Sequence, residues 1–185
     1  MLKKVAVVVA VVFLVLVALV FGGGRFIDGS IDVGTRKRIA APPAAIFGHL
    51  DNAAGIHSWW NAAGDAEHAL DVRKKSGPDV GAGVVVTFHP AGSDDVMETW
   101  TVKASEPPAR IVYDVDFAGM MTVERTLTLA AEGDGTEVTW HETGLIDTPA
   151  FRWMKLMMSN EDVVKNFDSA LSLLERALRN GKSGT

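Results

Sequence analysis

Residues Ser159 to Leu178 read SNEDVVKNFDSALSLLERAL, and the fold is decided by what this stretch requires of the rest of the chain. Val163, Val164, Phe167, Ala170, Leu171, Leu174 and Leu178 recur at three- and four-residue steps. That spacing places them on one face of a helix about five turns long. Glu161, Asp162, Lys165, Asp168, Glu175 and Arg176 cover the other face. Ser159 or Asn160 can cap the first turn, and Glu161 and Asp162 suit the positive end of the helix dipole, as Arg176 and Arg179 suit the negative end. Asn180-Gly181 predicts the stop. A helix this one-sided needs a broad apolar surface to lie on.

The preceding hundred-odd residues supply that surface as strands. A weak candidate at Leu70 to Lys75 is followed by Gly83 to His89, Val96 to Ser105, Arg110 to Phe117, Met120 to Ala131 and Glu137 to Thr143. Proline- and glycine-marked turns separate them, among them His89-Pro90-Ala91-Gly92-Ser93, Glu106-Pro107-Pro108, Ala118-Gly119 and Glu132-Gly133-Asp134-Gly135. Connections this short make neighbours antiparallel. Ahead of them, Ile31, Val33, Thr35, Lys37 and Ile39 share one face of a first strand, Ile31 to Ala40. Ala41-Pro42-Pro43 ends it, and Ala44 to Leu50 and Ala53 to Trp60 read as two short helices broken near Asp51-Asn52. The predicted class is α+β: a strand, two small helices, a meander of six strands and a long helix.

At the start, Lys3 and Lys4 precede an unbroken apolar run from Val5 to Phe21. Extended to Gly24, the run is long enough for a bilayer core of about 30 Å. A cleaved signal peptide is the rival reading, but its apolar region is usually about 7–15 residues, and no A-x-A site follows here. The reading adopted is an uncleaved single-pass anchor over residues 1–24, a linker over 25–30, a ligand-binding domain over 31–180 and a tail over 181–185. The short basic amino terminus favours a cytoplasmic N-terminus with the domain outside, although Arg25, Arg36, Lys37 and Arg38 lie on the opposite flank. Gly22-Gly23-Gly24 reads as a flexible exit from the membrane and not a phosphate loop, because no strand precedes it and no P-loop lysine follows. The net charge of −5 gives no electrostatic case for nucleic acid. Having no cysteine excludes disulfides, thiol catalysis and cysteine-ligated metal.

Four segments together carry a family resemblance: APPAAIFGHLDNAAGIHSWW, VGAGVVVTF, SEPPARIVYDV, and GDGTEVTWHETG before a final helix. They resemble the START-like (SRPBCC) superfamily, and within it the polyketide cyclase/dehydrase and lipid-transport group, relatives of the birch-pollen allergen fold. The resemblance covers Asp32 to Arg179. It implies a helix-grip fold, with a curved seven-stranded antiparallel sheet wrapped around the C-terminal helix and a cavity between them. It also implies a hydrophobic small molecule or lipid as partner, and no cofactor. The group has no invariant catalytic motif, and an N-terminal anchor departs from its usual soluble form.

Strand alternation then nominates cavity-facing side chains. They are Val96, Glu98, Trp100, Val102 and Ala104; Ile111, Tyr113, Val115 and Phe117; Met121, Val123, Arg125, Leu127 and Leu129; and Val138, Trp140 and Glu142. Glu98, Arg125 and Glu142 are charges on apolar stripes, costly unless paired. Arg125 can hold a ligand's carboxylate, phosphate or carbonyl; the plainer reading is a satisfied Glu–Arg–Glu bridge. Glu98, Tyr113, Arg125 and Glu142 are also the candidate catalytic residues for a cyclase- or dehydratase-like activity. Phe88 on the earlier strand and Phe167 on the long helix complete the apolar lining. Trp59 and Trp60 cannot both point inward on a regular element, so one is core and the other touches ligand, membrane interface or a neighbouring side chain. The histidines at 49, 57, 68, 89 and 141 follow no metal-ligand spacing, and isolated imidazoles are the reading adopted.

PAFRWMKLMM, Pro149 to Met158, is a short apolar helix leading into the long one. It is either packed core or a lid and membrane contact, with Phe151, Met154, Met157 and Met158 gating access and Arg152 and Lys155 meeting anionic headgroups. The leading expectation is a membrane-anchored binder of a hydrophobic molecule. The alternatives are an enzyme acting on such a molecule, and an interaction module whose cavity is filled by Trp100, Trp140 and Phe117.

Overall fold

The computed structural model describes residues 2–60, 70–157 and 159–182, with side chains over 4–60, 70–157 and 159–180. Its elements run α1 (Leu2–Gly24), β1 (Ser30–Ile39), α2 (Pro43–Phe47), α3 (Ala53–Trp60), β2 (Leu70–Ser76), β3 (Val85–Pro90) and β4 (Glu98–Glu106). They continue with β5 (Arg110–Asp116), β6 (Thr122–Glu132), β7 (Gly135–Leu145), a 3-10 turn (Pro149–Phe151), α4 (Arg152–Met157) and α5 (Asn160–Lys182). The seven strands form one sheet in the order β1-β7-β6-β5-β4-β3-β2, antiparallel throughout. Short turns make β2 to β7 a meander. The first strand then closes against the last, with Ser30 opposite Leu145 and Ile39 opposite Thr136.

The sequence stretch that demanded the sheet lies on it. Phe167, Ala170, Leu171, Leu174, Ala177 and Leu178 of α5 are buried, Leu171 and Leu174 completely. A capping box starts the helix: Ser159 Oγ accepts from the Asp162 amide, and the Asp162 carboxylate accepts from the Ser159 hydroxyl at 2.7 Å. Asp168 and Glu175, expected on the solvent face, reach sideways to β1. Thr35 donates to Asp168 at 2.8 Å, and Lys37 meets Ser172 and Glu175. The helix does not stop at Asn180-Gly181 but runs to Lys182. One glycine costs a helix only about 1 kcal/mol, and Ala177 and Leu178 hold the preceding turn against the sheet.

Two further boundaries differ from the sequence reading. The first short helix ends at Phe47, and Asn52 Oδ1 accepts from the Gly55 amide at 2.7 Å, capping α3 and fixing the break. Val96, expected to face inward, is 41% exposed, because β4 begins only at Glu98.

Residues 4–22 of α1 are exposed along their length, so the helix projects from the domain. By length and composition it can cross a membrane; a signal sequence has the same character. Its last turn is not the flexible exit that three glycines predict. Gly22-Gly23-Gly24 is helical, and Gly24 is buried. A Cβ on Gly24 would collide with the Pro149 carbonyl, and one on Gly23 would lie 2.7 Å from the Trp153 ring. Gly23 and Gly24 serve close approach, and Trp153 Nε1 donates to the Val20 carbonyl at 2.8 Å.

Candidate functional site

The register places Tyr113, Arg125 and Glu142 in one row across β5, β6 and β7. All three are buried. The Arg125 guanidinium lies 4.2 Å from the Trp100 ring centre and 4.8 Å from that of Trp140, so the cation sits against two indoles. Such contacts gain strength when desolvated, about 2 kcal/mol each. Glu142 Oε1 accepts from Arg125 Nε and also from Trp140 Nε1, the latter at 3.1 Å. Arg125 Nη1 is buried and has no hydrogen-bond partner among the described residues. An unpaired buried donor of a charged group is expensive, and the guanidinium that carries this one lies against two indole rings.

Glu98 does not join this pair. It accepts from Trp100 Nε1 at 2.7 Å, which leaves a two-residue ion pair in place of the expected Glu–Arg–Glu bridge. Both carboxylates therefore orient an indole, and the two indoles flank the arginine. Tyr113 is fully buried and donates to the Leu50 carbonyl at 2.7 Å. Burial pushes its phenol well above the usual range, Asp51 adds to the effect and the Arg125 charge opposes it. The phenol stays protonated and ties the sheet to the α2–α3 turn.

Around this pair the core is aromatic. Trp59 is 1% exposed and Trp60 half-buried, one core and one at the margin. Trp60 packs edge-on against Phe88 and Trp100, at 5.2 Å from each, and against Trp59 at 4.9 Å. Phe88 and Trp100 are 4.5 Å apart, and Trp140 stacks on Phe167 at 5.1 Å. Trp59 Nε1 is a second buried donor without a partner among the described residues. Phe117 is half-buried at the edge of this cluster. A dent of about 60 Å³ lined by Ile39, Ala40, Glu175, Leu178 and Arg179 lies apart from the arginine. Ligand pockets begin at about 300 Å³.

Among the described residues, those expected to gate access lie in the 3-10 turn and α4, ahead of α5. Phe151 is half-buried in the 3-10 turn, Met154 and Met157 are exposed, and Met158 lies outside the described residues. Arg152 and Lys155, expected to meet headgroups, are used internally. Arg152 donates to the Ile146 and Ile27 carbonyls, and Lys155 donates to the Ser30 carbonyl and pairs with Asp28 at 3.2 Å. These bonds explain why a short helix without buried residues keeps its place. Hydrogen bonds from the Ser30 hydroxyl and amide, then Lys155, hold the Asp28 carboxyl down to about 2. Sequence reasoning did not foresee this strap, whose acceptors are mostly backbone carbonyls.

The histidines stay apart. His49 meets Ser58 at 3.0 Å, His89 meets Thr87 at 2.8 Å and His141 meets Asp32 at 2.8 Å, while His68 lies outside the described residues. Among the described residues no group of three His, Asp or Glu side chains is placed to hold a metal ion.

Solved structures share this architecture. Protein CV1439 from Chromobacterium violaceum matches over 80% of this chain and 96% of its own, with a TM-score of 0.59 and 16% identity. A protein from Rhizobium leguminosarum matches over 82% and 95%, with a TM-score of 0.58 and 19% identity. Ara h 8.0201 matches over 84% and 99%, with a TM-score of 0.58 and 13% identity. At these identities the likeness establishes the fold, which is that of the birch-pollen allergen relatives. No curated protein matches the sequence. The family model described as polyketide cyclase / dehydrase and lipid transport matches residues 30–179, from the first residue of β1 into the last turns of α5, and the chain belongs to that family.

Proposed function

We propose that the protein binds a hydrophobic small molecule or lipid between the sheet and α5, with an acceptor group of that molecule on Arg125, and that α1 anchors it in a membrane. Family membership supports the hydrophobic ligand. The observation that carries the site is Arg125 itself: buried, held between Trp100 and Trp140, with one nitrogen left without a partner among the described residues. A carboxylate or carbonyl there satisfies the donor, and the indoles line an apolar body. The anchor is supported by the way the end of α1 is built into the domain through Val20, Gly24, Pro149 and Trp153. A segment destined for removal needs no such fit.

One observation favours a second reading. Trp59, Phe88, Trp100, Tyr113 and Trp140 are among the largest fully buried side chains, and they occupy the space a ligand would take. On that reading the domain is an interaction module. Native mass spectrometry of residues 30–185, purified without detergent, separates the two. A co-purifying lipid or small hydrophobe supports the ligand reading. A bare mass, with no uptake from a panel of fatty acids, sterols and aromatic polyketides, overturns it. The site is tested by Arg125→Met combined with Glu142→Gln, which leaves no unpaired buried charge. Binding of an anionic amphiphile should fall about tenfold or more while a neutral analogue loses little; equal loss for both would remove Arg125 from the site. For the anchor, the intact mass of membrane-extracted full chain should include residues 1–24.

A further inference from the structure

Outside α1, the exposed large apolar side chains gather at one end of the sheet. Antiparallel pairing defines that end: Ser30 opposite Leu145, Leu145 opposite Thr122, Asp116 opposite Thr99, and Pro90 opposite Leu70. Val96 and Met97 stand in the loop before β4 there, 41% and 47% exposed. Met120 stands in the β5–β6 turn, and Leu145 closes β7. Phe26, between α1 and β1, is 92% exposed. On α4, Leu156 is 66% and Met157 85% exposed. Val80, in the β2–β3 connection, is the exception at the opposite end. The same end is where α1 leaves the domain, with Trp153 bonded to Val20 in its last turns.

Scattered single apolar residues need no explanation, but several segments converging at one end do. Three of the basic side chains there are engaged: Arg73 holds Asp94, Lys155 holds Asp28, and Arg152 is tied to backbone carbonyls. The Phe88–Trp100–Trp60 cluster lies just beneath, since Phe88 is opposite Glu98 at the start of β4.

We propose that this end of the domain is a membrane-seated rim: the β3–β4 loop, the β5–β6 turn and α4 rest in the headgroup layer of the bilayer that α1 spans. The inference rests on the anchoring reading above. The occupant is the bilayer because α1 fixes the depth. Val20 lies at the end of the apolar run, so Trp153, bonded to it, falls at the interface, where indoles concentrate, and the rim belongs to the end of the sheet at which α1 joins the domain. Seating is apolar and does not need anionic lipid, because the basic side chains of α4 are already used. A ligand would then pass between lipid and core without crossing water.

The test uses the full chain, which has no native cysteine. Met97→Cys, Met120→Cys, Met157→Cys, Val80→Cys and Leu16→Cys are made singly, labelled with an environment-sensitive fluorophore, and reconstituted into phosphatidylcholine vesicles carrying nitroxide lipids. These positions are exposed, so labelling spares the core. The expected result is blue-shifted emission and loss of about half the intensity at Met97, Met120 and Met157, with Val80 unaffected. If Leu16 is quenched while Met97 and Met120 behave like Val80, the rim is overturned and the anchor stands. If Leu16 is not quenched, the anchoring reading falls and the rim with it. A blue shift at the rim without nitroxide quenching signals a protein partner in place of lipid and also overturns it.

Discussion

At Arg125, desolvation has been compensated on three sides, by Glu142, by the Trp100 ring and by the Trp140 ring. Removing one partner strands the rest. Glu142→Ala leaves a buried guanidinium without its carboxylate and should cost about 3–5 kcal/mol, measured by chemical denaturation. Arg125→Met with Glu142→Gln should recover most of that loss, because it removes both charges together. The alternation of β6 and β7 was enough to place these charges on the inner face. The expected bridge held for Glu142 and failed for Glu98, because Glu98 and Arg125 lie on strands separated by β5, and the indole N–H donors that claim the carboxylates leave no signal in a hydrophobic pattern. A second residue reports through pH. Burial lowers the His49 pKa below its ordinary 6.5. The unfolded chain therefore takes up the proton first, so this contribution is whole above about 6.5 and declines as pH falls through the lower folded value. The thermal midpoint of His49→Gln should depend less on pH across that window than that of the parent.

Among the elements, the junction of α1 with the 3-10 turn and α4 is where the sequence reading went furthest astray. Three consecutive glycines are weak helix formers, and composition alone gives flexibility. What composition hides is a partner more than a hundred residues later, the Pro149 carbonyl and the Trp153 ring, which tolerate only a bare backbone beside them. Gly24→Ala should therefore separate α1 from the turn. Hydrogen exchange on the full chain in micelles should rise across residues 149–157, while the amides of β5 to β7 keep their protection. Unchanged protection at 149–157 would show that the junction holds without that contact. The long helix was legible because its pattern is local and repeats at every turn; its end and the side contacts of Asp168 and Glu175 with β1 were misjudged.

For the whole molecule, the order of strands and helices was readable from turn residues and periodicity, and the meander of β2 to β7 from short connections, while the place of β1 in a seven-stranded sheet came only with the family resemblance. The degree to which large side chains fill the interior was not, because it depends on rotamers brought together from five strands and two helices. Since α1 is exposed over residues 4–22, the domain owes it little. A chain beginning at Asp28 should unfold cooperatively, with a thermal midpoint within about 5 °C of the full chain, followed by far-ultraviolet circular dichroism. The pairing of β1 with β7 has a further bearing, on synthesis. The strand made first must wait for the strand made last. At about 5–20 residues per second, the ribosome needs several seconds to deliver Leu145 after Ser30. During that interval β1 is an edge without its partner strand. Closure of the sheet is a late, long-range event, which places this chain among slowly folding topologies and makes the interval before β7 emerges the time when a holding chaperone has most to protect.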